Sequence, residues 1–329
     1  MYSKFFRVVS CASLLIFLST IYSPTQAMPD EAREWVMRML QAGQTLNYKG
    51  SMIGIRDSKV ELMGIVHKID SDGEQERIYS LNGIPREIIR KSGELICYLP
   101  DKSQGLQSKL FQDQRFFPSF TDSELNKLDD YYTFELGEMG RILNRDAQLV
   151  KIMPRDEFRY GYRLWIDKQT GLLLNSACVD QQDNPLEQYM FTDVQIGIEI
   201  SDADLQPSAS ALEGLTWSQA QTTEPKQTSE LACKLENLPQ GYELIYAMDK
   251  PATDKENMMS QYVFSDGLAT FSLFVEHMYN PDEMKMQGAY QLGIVNVYSR
   301  VMGDNRITLM GEIPKVTAKA VAMAVSDCQ

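Results

Sequence analysis

From residue 48 onward the chain is cut by turn signals at short intervals, and this limits its fold more than any other feature. Asp57-Ser58, Asp72-Gly73, Asn82-Gly83 and Ser92-Gly93 separate runs rich in aliphatic and aromatic residues. Asx-Gly and Ser-Gly steps accept the positive φ that a tight hairpin demands, so consecutive runs fold back on one another as antiparallel strands. The spacing predicts strands over Tyr48–Ile55, Val60–Ile69, Glu76–Leu81, Arg86–Arg90 and Glu94–Leu99.

One amphipathic helix precedes this meander. Ala32, Trp35, Val36, Met39, Leu40 and Gly43 recur at helical spacing, which predicts a helix over residues 30–46 with Asp30 as its cap. Residues 100–130 break the strand rhythm with Phe111, Phe116, Phe117, Pro118 and Phe120, then a short helix near Asp122–Leu128. Strands resume over Tyr131–Leu136, Ala147–Met153, Phe158–Asp167, Leu172–Val179 and Glu187–Ile196. Many of the N-terminal strands are apolar on both faces, unlike a sheet with one face in water. A curved antiparallel sheet fits, with one face lining an interior that the first helix closes.

At 329 residues the chain is long enough for two domains. Composition changes to Ser, Thr, Gln, Ala and Pro between Pro207 and Pro225, which predicts a linker over 205–225. The expected division is a β-sheet domain over 28–204 and a smaller α+β domain over 226–329. The second domain is read as strands near Tyr242–Met248, Gln261–Ser265, Leu268–Glu276, Tyr290–Met302 and Arg306–Gly311, closed by a helix over Lys315–Ser326. The fold class is therefore α+β, with antiparallel sheets in both parts.

Residues 1–27 read as a secretory signal peptide. Lys4 and Arg7 precede an apolar run centred on Leu14–Leu18, and Thr25-Gln26-Ala27 offers a small-x-small cleavage site. Its removal takes out two cations and no acid, so the net charge moves from −13 to −15. That acidity excludes a general nucleic-acid binder, which needs a positive field. Export also permits disulfides among Cys97, Cys178, Cys233 and Cys328. Four cysteines allow three connectivities. Pairing Cys233 with Cys328 would tie together the two ends of the second domain, with Cys97–Cys178 as the companion bond. The alternative is buried free thiols.

Signals for chemistry are sparse. Gly50-Ser-Met-Ile-Gly54 lacks the serine position of a nucleophile elbow. The two histidines, His67 and His277, have no metal-ligand spacing around them. No phosphate-cradling loop precedes a helix. The chain is read as a binding protein, not an enzyme, with no cofactor and no metal. Two weaker features remain. Met52, Met63 and Met153, with Phe117 and Phe120, suit a cavity for acyl chains because unbranched thioethers repack around irregular ligands; each alone also reads as core filler. Arg86, Arg90 and Lys91 form a basic cluster that suits an anionic headgroup, as does the run Arg155, Arg159 and Arg163.

A resemblance joins these segments. It is carried by Leu46-Asn47-Tyr48, Gly83-Ile-Pro85-Arg-Glu-Ile-Ile-Arg90, Tyr131-Tyr132-Thr-Phe134 and Tyr160-Gly-Tyr162-Arg-Leu-Trp165-Ile-Asp167. In the second half it is carried by Leu238-Pro239-Gln240-Gly241, Ser265-Asp266-Gly267-Leu268 and Gly311-Glu312-Ile-Pro314. Over the mature chain these segments resemble the RseB/MucB family of periplasmic regulators of sigma-E or AlgU-type envelope-stress signalling. The N-terminal half also looks like the lipoprotein carriers LolA and LolB, a half-barrel covered by helices. The resemblance implies binding to the periplasmic domain of a membrane anti-sigma factor, RseA or MucA, and protection of it from site-1 proteolysis. Lipopolysaccharide or lipoprotein acyl chains would release it. Tyr262, Phe264, Phe274 and Arg300 are the expected partner-binding residues, Phe274 because it shares the face of Thr270 and Ser272. The alternative is a periplasmic lipid or lipoprotein carrier of LolA type.

Overall fold

The computed structural model describes residues 29–91, 94–99, 104–108, 122–209, 226–227, 233–251, 258–278 and 287–328. The phenylalanine-rich stretch with Phe117 and Phe120, the signal segment and most of the expected linker lie outside these residues.

Helix α1 (Pro29–Thr45) leads into an open antiparallel sheet of eleven strands. Its members are β1 (Tyr48–Arg56), β2 (Lys59–Asp70), β3 (Gly73–Ser80), β4 (Glu87–Lys91), β5 (Glu94–Leu99) and β6 (Gln104–Ser108), then β7 (Tyr132–Ile142), β8 (Arg145–Pro154), β9 (Gly161–Asp167), β10 (Leu173–Val179) and β11 (Pro185–Ile196). The order is β6-β5-β4-β3-β2-β1-β11-β10-β9-β8-β7, so the chain builds outward from β1, then returns on its other side through β11. Between β6 and β7 comes the short helix α2 (Asp122–Lys127).

One face of this sheet carries the core. Ala32, Val36 and Met39, one stripe of α1, pack on Phe134, Val150, Ile152, Leu164 and Ile166. Arg33 ties α1 to the α2 region: it pairs with Asp129 at 2.5 Å and donates to the Leu125 carbonyl at 2.9 Å. Nearer β1, Met52, Met63, Ile65, Ile78, Leu174 and Phe191 form a second cluster. His67 is buried there, its Nδ1 2.9 Å from the Leu46 carbonyl and its ring stacked on Tyr48.

The smaller sheet has seven strands: β12 (Lys226–Gln227), β14 (Glu243–Pro251), β15 (Met258–Ser265), β16 (Thr270–His277), β17 (Gly288–Leu292), β18 (Val295–Met302) and β19 (Asn305–Gly311), in the order β12-β14-β15-β16-β19-β18-β17. Helix α3 (Lys315–Ala324) covers one face, where Val321, Ala318 and Ala322 meet Leu273, Ile307 and Leu309. A two-residue ladder joins β13 (Lys234–Leu235) to β20 (Val325–Ser326). The one strand expected over Tyr290–Met302 is instead a hairpin. It reverses at Gly293, whose φ is +61°. The terminal helix stops at Ala324, two residues short of the expected Ser326, and those two residues form β20.

Candidate functional site

The hairpin β15–β16 sorts its aromatic residues by strand parity. Tyr262 faces Leu273 across the ladder and Phe264 faces Phe271, and all four point toward α3. Tyr262 is 1% exposed and Phe264 2%, so neither is a contact residue for a partner; both are core. Phe264 stacks on Phe271 with ring centres 5.2 Å apart. Phe274 lies on the opposite face with Ser272 and is half-buried. Arg300 is also withdrawn from the expected set. Its Nε donates to the Ala322 carbonyl at 2.7 Å and its Nη2 to the Val325 carbonyl, so it caps the C-terminal end of α3.

The face of the seven-stranded sheet away from α3 carries a row of side chains in register: Tyr246, Val263, Ser272, Met310, Val297 and Tyr290. Met310 is 43% exposed, Tyr290 45%, and Leu292 at the end of β17 70%. Contiguous exposed apolar surface is a feature of interaction sites. Sequence reading reached Phe274 on this face but missed Tyr290, because β17 and β18 read as one strand, and Met310 on β19.

Among the described residues, the densest polar constellation lies between the two sheets, centred on Arg159 in the loop from β8 to β9. Its side chain is fully buried. Nε meets Asp266 Oδ2 at 2.5 Å, Nη1 pairs with Asp156, and Nη2 donates to the Gln240 carbonyl. The guanidinium sits 4.7 Å from the Tyr131 ring centre and 4.8 Å from that of Tyr242. Asp266 is saturated: Tyr132 Oη donates to Oδ2 at 3.0 Å, and the Leu268 and Ala269 amides donate to Oδ1 at 2.9 and 2.7 Å. Gly241, at φ +93°, lies where a Cβ would fall 2.5 Å from Tyr131. The Leu-Pro-Gln-Gly, Ser-Asp-Gly-Leu and Tyr-Tyr segments thus meet at one arginine.

The expected basic sites dissolve into ion pairs. Arg86 is exposed and pairs with Glu61 at 3.3 Å; Arg90 is buried and pairs with Glu76 at 2.8 Å. Lys91 is exposed beside Arg90, and the two line one small hollow whose walls also include Asp202, so the charge there is mixed. Arg163 pairs with Asp183 at 2.6 Å, and Arg155 donates to the Asp129 and Tyr132 carbonyls.

The methionines do not line one cavity. Met52 and Met63 are cross-strand partners buried in packed core. Met153 lies on β8, with three strands between it and β1, at the edge of a hollow of about 360 Å³ whose other walls are Pro154, Arg155, Asp156, Glu157 and Gln181. That lining is polar and does not suit an acyl chain.

Cys233 and Cys328 are disulfide-bonded. Cys97 and Cys178 are free thiols, contrary to the expected companion bond. Cys97 is on β5 and Cys178 on β10, six strand spacings apart in the sheet. At about 4.8 Å per spacing this far exceeds the reach of a disulfide.

Comparison with known proteins covers both sheets. The MucB/RseB N-terminal domain model matches residues 31–209, and the MucB/RseB C-terminal domain model matches residues 227–326. The sigma factor AlgU regulatory protein MucB of Pseudomonas aeruginosa is 27% identical over 322 residues, covering 95% of this chain and 96% of the relative. The sigma-E factor regulatory protein RseB of Haemophilus influenzae is 27% identical over 316 residues, with the same coverage. A crystal structure of MucB in complex with MucA(peri) superposes with a TM-score of 0.69 at 27% identity, over 89% of this chain and 98% of that one. On both domain models, the chain belongs to the MucB/RseB family.

Proposed function

We propose that this protein acts in the periplasm, where it binds the periplasmic domain of a membrane anti-sigma factor and shields it from site-1 proteolysis. The sigma factor stays sequestered while the complex lasts, and lipid or lipoprotein signals end it. The observation that carries the reading is the match of both halves to one regulatory family, together with a MucB structure that holds MucA(peri) and shares this chain's fold over 89% of its length.

The outer face of the seven-stranded sheet supports the binding step. Tyr290, Met310 and Leu292 expose apolar surface where a partner segment gains burial without disturbing the core beneath α3. A protein of this kind needs no reactive centre, since shielding requires only that the cleavage site be covered.

The test is a cleavage assay. The anti-sigma periplasmic domain is incubated with its site-1 protease and increasing amounts of this protein. Cleavage should slow in proportion to complex formed. Unchanged cleavage at saturating protein, with the protein shown to be folded, would remove the proposal.

A further inference from the structure

We propose that Arg159 and Asp266 form a charge latch that sets whether the two sheets move as one body or as two. The proposal stands apart from the partner-binding reading and survives its failure.

Several observations converge on it. Arg159 belongs to the large sheet and Asp266 to the turn between β15 and β16 of the small one, and both side chains are fully buried. Three tyrosines collar the guanidinium: Tyr131 and Tyr132 from the large sheet and Tyr242 from the small. The aromatic faces stabilise the cation, and the desolvated collar strengthens its attraction to the carboxylate. Among the described residues no second cation hydrogen-bonds Asp266, whose other partners are a phenol and two amides.

The rest of the junction is a set of single polar contacts and one exposed ion pair, Lys127 with Glu243 at 3.3 Å. Tyr242 Oη and Thr317 Oγ1 both donate to the Phe158 carbonyl, at 3.2 and 2.8 Å. Asn296 donates to Tyr160 Oη at 3.0 Å, and the Gly293 amide to Asp57 at 3.1 Å. Apolar contact also crosses the junction: Leu268 packs against the large sheet's core, and Ile294 is buried in a cluster with Tyr160 and Cys178. The polar groups of such a mixed interface find water when it opens, and interfaces between domains of one chain commonly permit relative motion. The ion pair supplies the threshold. A buried charge cannot lose its partner by degrees: at an intermediate separation Arg159 keeps Asp156, but Asp266 is left dry and without a cation. Closure is therefore all-or-none at this contact, and loss of one charge should release the junction while each sheet keeps its own core.

Small-angle scattering of the mature chain tests this. Asp266→Asn keeps the size of the side chain, removes its charge and puts an NH2 donor in place of one of its two accepting oxygens. The expected result is a two-lobed pair-distance distribution and a larger radius of gyration, with the circular dichroism of the wild type. A wild-type scattering curve from folded Asp266→Asn would overturn the latch. If that variant loses its circular dichroism, Arg159→Ala decides. It leaves a tyrosine-walled hole floored by Asp266, so the chain should open, and millimolar methylguanidinium should close it again where ammonium does not. An Arg159→Ala chain that stays closed, or that opens and ignores methylguanidinium, overturns the proposal.

Discussion

Tyr132 and Asp266 are joined across the two sheets by one hydrogen bond of 3.0 Å, phenol to carboxylate. Burial, and then the neighbouring Asp266 charge, hold the phenol well above its usual range, so it is a donor at neutral pH. Tyr132→Phe keeps the ring in its packing and deletes this donor alone. Asp266 retains Arg159 and two amides, so the loss is that of one hydrogen bond to a charged group, about 1.5–3 kcal/mol. A lower urea midpoint with an unchanged slope is the expected result, and an unchanged midpoint would show that the bond contributes nothing.

Tyr262 and Met310 separate stability from binding. Tyr262 is buried in the small sheet's core, and Tyr262→Ala should cost about 3–5 kcal/mol, enough to unfold that sheet. Met310 lies in the exposed row of the outer face. Met310→Ser combined with Tyr290→Ser should leave the melting temperature within a few degrees of wild type. The same pair should weaken binding to an anti-sigma periplasmic domain at least about tenfold, which corresponds to about 1.4 kcal/mol. Titration calorimetry with wild-type affinity for the double variant would move the contact surface elsewhere.

How much of this was legible in the sequence depends on the range of the interaction. Turns with an Asx-Gly signature were readable because the conformational demand sits on the residues that meet it. The β7–β8 turn was not: Leu143 and Asn144 take φ of 51° and 61°, and leucine gives no hint of a left-handed conformation. Gly293 was overlooked for a related reason, since Leu292 and Val295 on either side continue an apolar run. The faces of β16 followed correctly from alternation, but the role of Tyr262 and Phe264 did not, because parity tells which residues share a side and not which side is covered. Arg159 reads in the sequence as one of three arginines suited to an anionic headgroup. Its burial depends on Asp266, 107 residues away, and on Gln240, 81 away, and nothing local encodes that meeting.

Arg300 should behave as a helix cap and not as a contact residue. Its guanidinium serves two carbonyls at the end of α3, where the helix dipole also favours a cation. Arg300→Ala should lower the stability of the small sheet by about 1–2 kcal/mol, with Arg300→Lys recovering part of it. Affinity for the anti-sigma domain, measured well below the melting temperature, should stay within a factor of two to three of wild type. A tenfold loss of affinity with no change in stability would restore Arg300 to the interface.

Acid should weaken the large sheet through Asp183 and Asp204. Hydrogen bonds from Arg163, and then Lys151, draw the Asp183 carboxyl down to about 2, and a bond from Lys49, then one from Ser201, draws Asp204 down to about 2. Both folded-state values lie below the unfolded value near 4. Their contribution is therefore complete above about pH 4 and is lost as pH falls toward 2. Melting temperature followed from pH 5 to pH 2 should drop most steeply in that window, and Asp183→Asn should flatten the drop while lowering stability at neutral pH. A drop that is unaltered by Asp183→Asn would remove this residue from the acid response.

The disulfide makes a prediction of a different kind, because it acts on the unfolded chain. Cys233 and Cys328 are 95 residues apart, and the bond sits where β13 pairs with β20, so it fastens the start of the second domain to its end. Closing a loop of that length restricts the unfolded ensemble, worth about 2–4 kcal/mol. Reduction, or Cys328→Ser, should lower the stability of the small sheet by that amount and leave the large one unchanged. Cys97 and Cys178 are spectators to this, and burial raises the thiol pKa of both. Alkylation of the exported protein in denaturant without reductant should then add two groups, at Cys97 and Cys178, and four after reduction. Four groups before reduction would show that the cross-link is not formed, and none would show that the remaining two thiols are paired after all.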